Sequence, residues 1–106
     1  MPVIDLETTE IKEPVPGYRV RFVHSDNITL AFWDVKAGSV LPAHSHVHEQ
    51  LSQITEGEFE LTIAGNAFVL TPGKIAIIPP NIEHSGRAIT DCKITDTFYP
   101  VREDYL

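Results

Sequence analysis

From Tyr18 onward, short apolar runs alternate with turn residues at the close spacing of strands rather than helices. The runs are YRVRFVH (18–24), ITLAFWDV (28–35), FELTI (59–63), AFVL (67–70), IAII (75–78) and KITDTFY (93–99). Between them lie AlaGlySer at 37–39, GluGly at 56–57, GlyAsn at 65–66 and ProGly at 72–73, residues that suit tight turns and hairpins. No stretch sustains a helical apolar period behind a cap. The pattern predicts an all-β domain, a sandwich or small barrel.

The GlyAsn turn predicts a hairpin of 57–64 with 66–71, with Phe59, Leu61 and Ile63 on a buried face and Glu58, Glu60 and Thr62 on a wet one. ITLAFWDV is apolar on both faces, Ile28, Leu30 and Phe32 opposing Ala31, Trp33 and Val35. Such a strand lies between two packed layers, and a partner subunit can supply the second, so a homodimer is expected. Residues 1–17 carry three prolines and several acids and read as an extended arm, leaving 18–106 as the barrel domain.

Composition adds exclusions. The 106 residues make one domain with one modest core. A formal net charge of -7 opposes non-specific attraction to nucleic acid or an anionic membrane surface. The opening MPVIDLETTE lacks the basic and apolar regions of a signal peptide, and no segment reaches membrane-spanning length, so a cytoplasmic protein is expected. The single Cys92, in the alternating segment DCKITDTF, reads as a half-buried structural thiol.

Three of the five histidines fall within LPAHSHVHEQ, as His44, His46 and His48. On a strand, residues two apart share a face, so His44 and His46 present imidazoles about 6 to 7 Å apart along the backbone. Neutral imidazole suits zinc, nickel, copper and iron. Gln50 lies roughly 20 Å from His44 along a straight strand, so its joining the same ion requires a bend between 46 and 50 that turns His48 and Glu49 away. His84 follows IIPPNIEH, where Pro79 and Pro80 end a strand, and is the best fourth ligand.

At these residues the chain resembles the cupin superfamily. GSVLPAHSHVHEQLSQITEG (38–57) and GKIAIIPPNIEH (73–84) are similar to the two cupin motifs, which implies a small double-stranded β-helix barrel with one divalent metal ion, nickel, zinc, manganese or iron, on His44, His46, Gln50 and His84. The chain departs from the pattern where Gln50 holds the usual glutamate position, Asn81 replaces a glycine and Ala88 stands in place of an asparagine. Three imidazoles and an amide are all neutral, so the ion's charge stays uncompensated and the site should prefer an anionic ligand.

The ending DTFYPVREDYL, with HSHVHEQ, further resembles the KdgF-type small cupins of pectin and alginate breakdown, which convert 4,5-unsaturated uronates into linear keto sugars. The resemblance implies a catalytic acid at Asp96, an aromatic at Phe98 and an arginine at Arg102. Asp96 and Phe98 share a strand face, and Arg102 follows a proline that ends the strand and can fold back to grip a carboxylate. Taken alone, Asp96 and Arg102 read as well as a surface ion pair, and Phe98 as a core residue. Two other functions fit the same motifs: an iron-dependent dioxygenase of a small molecule, and a non-catalytic sensor or binding module for a small anion.

Overall fold

A computed structural model describes residues 3–106. Ten strands follow in order: β1 (Lys12–Val15), β2 (Tyr18–His24), β3 (Thr29–Val35), β4 (Val40–His44), β5 (Glu49–Glu56), β6 (Phe59–Ile63), β7 (Asn66–Leu70), β8 (Ile75–Ile78), β9 (His84–Ala88) and β10 (Cys92–Tyr99). The helical content of the described residues is two 3-10 turns, Leu6–Thr8 and Glu103–Tyr105. None of the described helices is long and apolar enough to cross a membrane.

All strand pairs are antiparallel and form two sheets. The larger has the order β1-β2-β3-β10-β5-β8, and the smaller β4-β9-β6-β7. Alternation along each strand sends one set of side chains between the sheets, as in β5, where Gln50, Ser52 and Ile54 are buried while Glu49, Leu51 and Gln53 are exposed. Between the layers lie Tyr18, Val35, Ile54, Phe59, Leu61, Ile78, Ala88 and Ile94, with a second cluster of Val20, Phe22, Ala31 and Phe98 toward the other end. The architecture is the predicted all-β barrel.

On β3, Ala31 and Val35 are buried and Trp33 packs against both core clusters, while Leu30 and Phe32 on the opposite face are half-buried. Of the arm of residues 1–17, positions 1 and 2 lie outside the described residues; positions 12–15 form β1 at the edge of the larger sheet, and Leu6 O accepts a hydrogen bond from Arg21 Nη1 at 2.8 Å. The 59–70 hairpin has the predicted faces, with its turn one residue earlier than GlyAsn. Ile63 pairs with Asn66, and the two loop residues Ala64 and Gly65 take φ of 49° and 82°, the signs a type I′ turn demands at both central positions. Gly57 closes the β5–β6 connection at φ 88°, where an added Cβ would meet the Asp91 carbonyl.

Candidate metal centre and cavity

Strand β4 ends at His44, directly opposite His84, the first residue of β9. His46 lies beyond the strand end, and the chain bends at 47 and 48 before β5 begins at Glu49. The expected bend between 46 and 50 is present, although His46 reaches the site from irregular backbone and not by strand alternation. A possible metal-ligand atom from each of His44, His46 and His84 lies within 4.8 Å of the other two. The loop after β8 is tied to this corner by a 2.7 Å hydrogen bond from Asn81 N–H to His46 O. Asn81 sits at φ 63°, a left-handed conformation that asparagine tolerates better than most side chains, which accounts for its replacing a glycine.

Each of the three rings is oriented by a backbone carbonyl. The Nδ1–H of His44 donates to Pro42 O at 2.8 Å, that of His46 to His48 O at 3.0 Å and that of His84 to Ile82 O at 2.9 Å. A proton on Nδ1 leaves Nε2 with a lone pair in the neutral ring, the usual arrangement of a metal-ligating imidazole. Burial lowers the His46 pKa to about 4, and with help from the nearby His44 and Arg102 charges it lowers that of His84, so both rings are neutral at physiological pH. His84 Nε2 is buried without a hydrogen-bond partner. His46 Nε2 faces Gln50 Oε1 at 3.1 Å, two acceptors that a shared cation would reconcile, as would a turned amide. The donor set therefore fits a divalent transition metal of the imidazole-binding kind.

The His44 and His84 rings border a cavity between the sheets of about 70 Å³, room for several water molecules, and His46 joins them from beside it. His44, Gln50, His84, Asp96, Phe98 and Arg102 all line it, as do Trp33, Tyr18 and Ser52. On β10, Asp96 and Phe98 point inward on alternate positions, pairing in register with Ser52 and Gln50 of β5. Asp96 is only 7% exposed, and burial raises its pKa to about 6. The Ser52, Gln50 and Trp33 side chains and the Arg102 charge pull it back only in part; Asp96 Oδ1 and Trp33 Nε1 find no partner at hydrogen-bonding geometry. The Tyr18 hydroxyl, pushed up to about 12 mainly by burial, stays protonated and donates to Ser39 O at 3.0 Å.

Arg102 is 6% exposed and not part of a surface pair with Asp96. Its Nε–H and Nη2–H donate to the two oxygens of Asp104 at 3.0 and 2.7 Å, and its guanidinium carbon lies 4.7 Å from the Phe98 ring centre and 4.4 Å from that of Tyr105. His48 is not one of the convergent group, although its ring centre lies 5.5 Å from that of His46 and 6.5 Å from that of Phe98. Glu49 and Glu83 are exposed. The Cys92 thiol is buried, its one S–H shared between Glu58 O and Thr90 O at 3.1 and 3.2 Å, a structural role. Sequence reasoning missed Ser52, Asp104 and Tyr105. Ser52 was within reach of the alternation that picks out Gln50, while the fold of the tail over the cavity leaves no local signal.

Two antiparallel sheets enclosing a histidine-lined cavity define a small barrel of the metal-centre type. The family model described as "Cupin domain" matches residues 31–98, and the chain belongs to that family. It is 27% identical over 84 residues to the pectin degradation protein KdgF of Dickeya dadantii, covering 77% of this chain and 76% of that one. Among solved structures, an RmlC-like cupin from Shewanella frigidimarina superposes with a TM-score of 0.93 at 29% identity, over 100% of this chain and 96% of the other. KdgF from Halomonas sp. gives 0.88 at 26%, over 97% and 96%. The chain is thus similar to KdgF-type small cupins over nearly its whole length.

Proposed function

We propose that this protein is a metal-dependent enzyme that converts 4,5-unsaturated uronates, released in pectin or alginate breakdown, into linear keto sugars. The observation that carries the reading is Asp96, a buried carboxylate with a pKa of about 6 that shares one cavity with an arginine and with His44 and His84, two of the three convergent imidazoles. A group titrating near neutral pH can give up and take back a proton without a large penalty in either direction. Similarity to two KdgF proteins, one of them a pectin degradation protein, supports a sugar acid of that breakdown as the substrate.

In this reading His44, His46, Gln50 and His84 hold one divalent ion. That ion supplies Lewis acidity toward a carbonyl or hydroxyl oxygen. Arg102 receives the sugar carboxylate through its remaining N–H groups and fixes the sugar's orientation. Asp96 delivers a proton to, or removes one from, the reacting carbon or ring oxygen, and the apolar walls of buried Phe98 and half-buried Trp33 keep bulk water from competing for it. A second copy of the chain is proposed to cover the outer face of the larger sheet. Leu51, Ile75 and Ile77 are exposed there on paired strands, and Tyr99 at its rim is 56% exposed.

The test is to follow the ultraviolet absorbance of the conjugated double bond of a 4,5-unsaturated galacturonate or guluronate monomer with metal-loaded protein. Loss faster than the spontaneous rate, abolished by a chelator and by Gln50→Ala, is expected. No acceleration with any loaded metal would remove the uronate reading.

A further inference from the structure

The geometry points to Asp104 as a positioning residue, one that fixes the Arg102 guanidinium in advance so that the tail segment 102–105 forms a built wall of the cavity and presents a preset cation to a carboxylate ligand. The inference rests on the reading that Arg102 receives the substrate carboxylate.

Arginine side chains are long, and an unrestrained one loses rotamer freedom when it grips a ligand. Arg102 has already lost that freedom. Its backbone N–H donates to Thr29 Oγ1 at 2.8 Å, and Thr29 is fully buried on β3, its hydroxyl also 2.8 Å from His24 Nδ1. The guanidinium lies over the rings of both Phe98 and Tyr105, and Tyr105 stacks on Phe22 at 4.3 Å between ring centres. The 3-10 turn that carries Tyr105 is closed by its own N–H donating to Arg102 O at 3.1 Å. The remaining freedom of the planar head is rotation in place, and the two bonds from Asp104 remove it.

Which edge Asp104 takes decides its role. It holds Nε–H and one Nη2–H, the side edge of the fork. A guanidinium has five N–H groups, so both Nη1 hydrogens and the second on Nη2 remain, the end edge that matches a carboxylate bidentately. A ligand carboxylate therefore need not displace Asp104. The Asp104 side chain is 55% exposed against 8% for Arg102, so the aspartate stays solvated while the cation it fixes faces inward. Hydrogen bonding from Arg102 holds the Asp104 pKa below the usual carboxylate range, so the pair persists at neutral pH.

The test compares full-length, metal-loaded wild type with Asp104→Asn and Asp104→Glu. In proton–nitrogen correlation spectra, wild type should show one slowly exchanging arginine Nε–H signal, assigned by its loss in Arg102→Lys. Asp104→Asn should broaden that signal and raise KM for 4,5-unsaturated galacturonate about tenfold while kcat changes less than about threefold, the pattern of lost uniform binding. Asp104→Glu should recover much of both, and similar melting temperatures for the two variants would separate positioning from damage to the fold. An unchanged Nε–H signal, an unchanged KM or a lowered KM in Asp104→Asn would each overturn the inference, the last by making Asp104 a competitor for the carboxylate. If wild type turns over no uronate, the functional reading fails separately, and the Nε–H signal alone decides whether Asp104 fixes Arg102.

Discussion

Replacing Asp96 by asparagine separates what this carboxylate costs the fold from what it does in the cavity. Its pKa rises from 3.8 to about 6 on folding, chiefly because burial disfavours the charge. As pH increases, the unfolded chain releases this proton first while the folded protein still holds it. Stability from this group is therefore fully present below about pH 4, falls between the two pKa values, and is lost above about pH 6. A shift of about two units corresponds to about 3 kcal/mol of penalty at pH 8. Asparagine keeps the shape and removes the charge, so metal-free Asp96→Asn should be more stable than metal-free wild type at pH 8 by up to that amount. For a domain of this size, this is a rise in melting temperature on the order of 10 °C.

Differential scanning calorimetry on chelated protein at pH 8 and pH 4 measures this directly. The gain should fall to well under ~1 kcal/mol at pH 4, where the folded carboxyl is neutral and the unfolded one only about half ionised, and shrink at pH 8 when metal is loaded, because a nearby cation favours the carboxylate. Turnover of the unsaturated uronate should fall by about 100-fold or more in the same variant. Equal melting temperatures at pH 8, or an equal loss of stability at both pH values, would refute the claim that Asp96 is held at a cost.

Three other outcomes follow from named contacts. His84→Ala should abolish the rise in melting temperature that nickel or zinc gives wild type, about 3 kcal/mol at a hundred times the dissociation constant, as read by a thermal melt with and without metal. Gly57→Ala should destabilise by about 2 kcal/mol or more in urea, because φ is 88° and the methyl meets the Asp91 carbonyl; Gly65→Ala, at φ 82° in open space, should cost about half that. Ile77→Asp, on the exposed outer face of β8, should shift sedimentation equilibrium toward monomer with little loss of monomer stability, and an unchanged mass would place any dimer contact elsewhere.

The strands legible in the sequence are those whose own alternation is strong, such as 18–24, 59–63 and 93–99. Those that bring the histidines together are not of this kind. β4 reads VLPAH and β9 reads HSGRA, polar and proline- or glycine-bearing segments without a strand signature. They are extended because they pair with each other and β9 pairs also with β6, and Gly86 is required where the Phe59 ring occupies the space of a Cβ. The motifs mark which residues to watch; only the long-range register sets His44 opposite His84. β1, with Pro14 inside it, is an edge strand that local reading leaves as an arm. The Arg102–Asp104 pair is two residues apart and still escapes notice, because the fold of the tail over Phe98 decides whether that arginine is buried.

The distribution of unmet polar atoms argues that the cavity is kept for use rather than left by poor packing. Among the described residues, the buried side-chain polar atoms without a partner are Trp33 Nε1, His48 Nδ1, His84 Nε2 and Asp96 Oδ1. Trp33, His84 and Asp96 line the cavity, and His48 sits beside Phe98, which lines it too. Each such atom costs about 1–3 kcal/mol, a large charge on a domain whose total stability is on the order of 5–15 kcal/mol. Apolar residues of similar volume would remove that cost, yet the hydrophobic clusters to either side are well formed and the cost is confined to this one place. The groups left wanting in the cavity are an imidazole lone pair, a carboxylate oxygen and the Trp33 N–H donor, which a cation and an oxygen-rich anion would satisfy together.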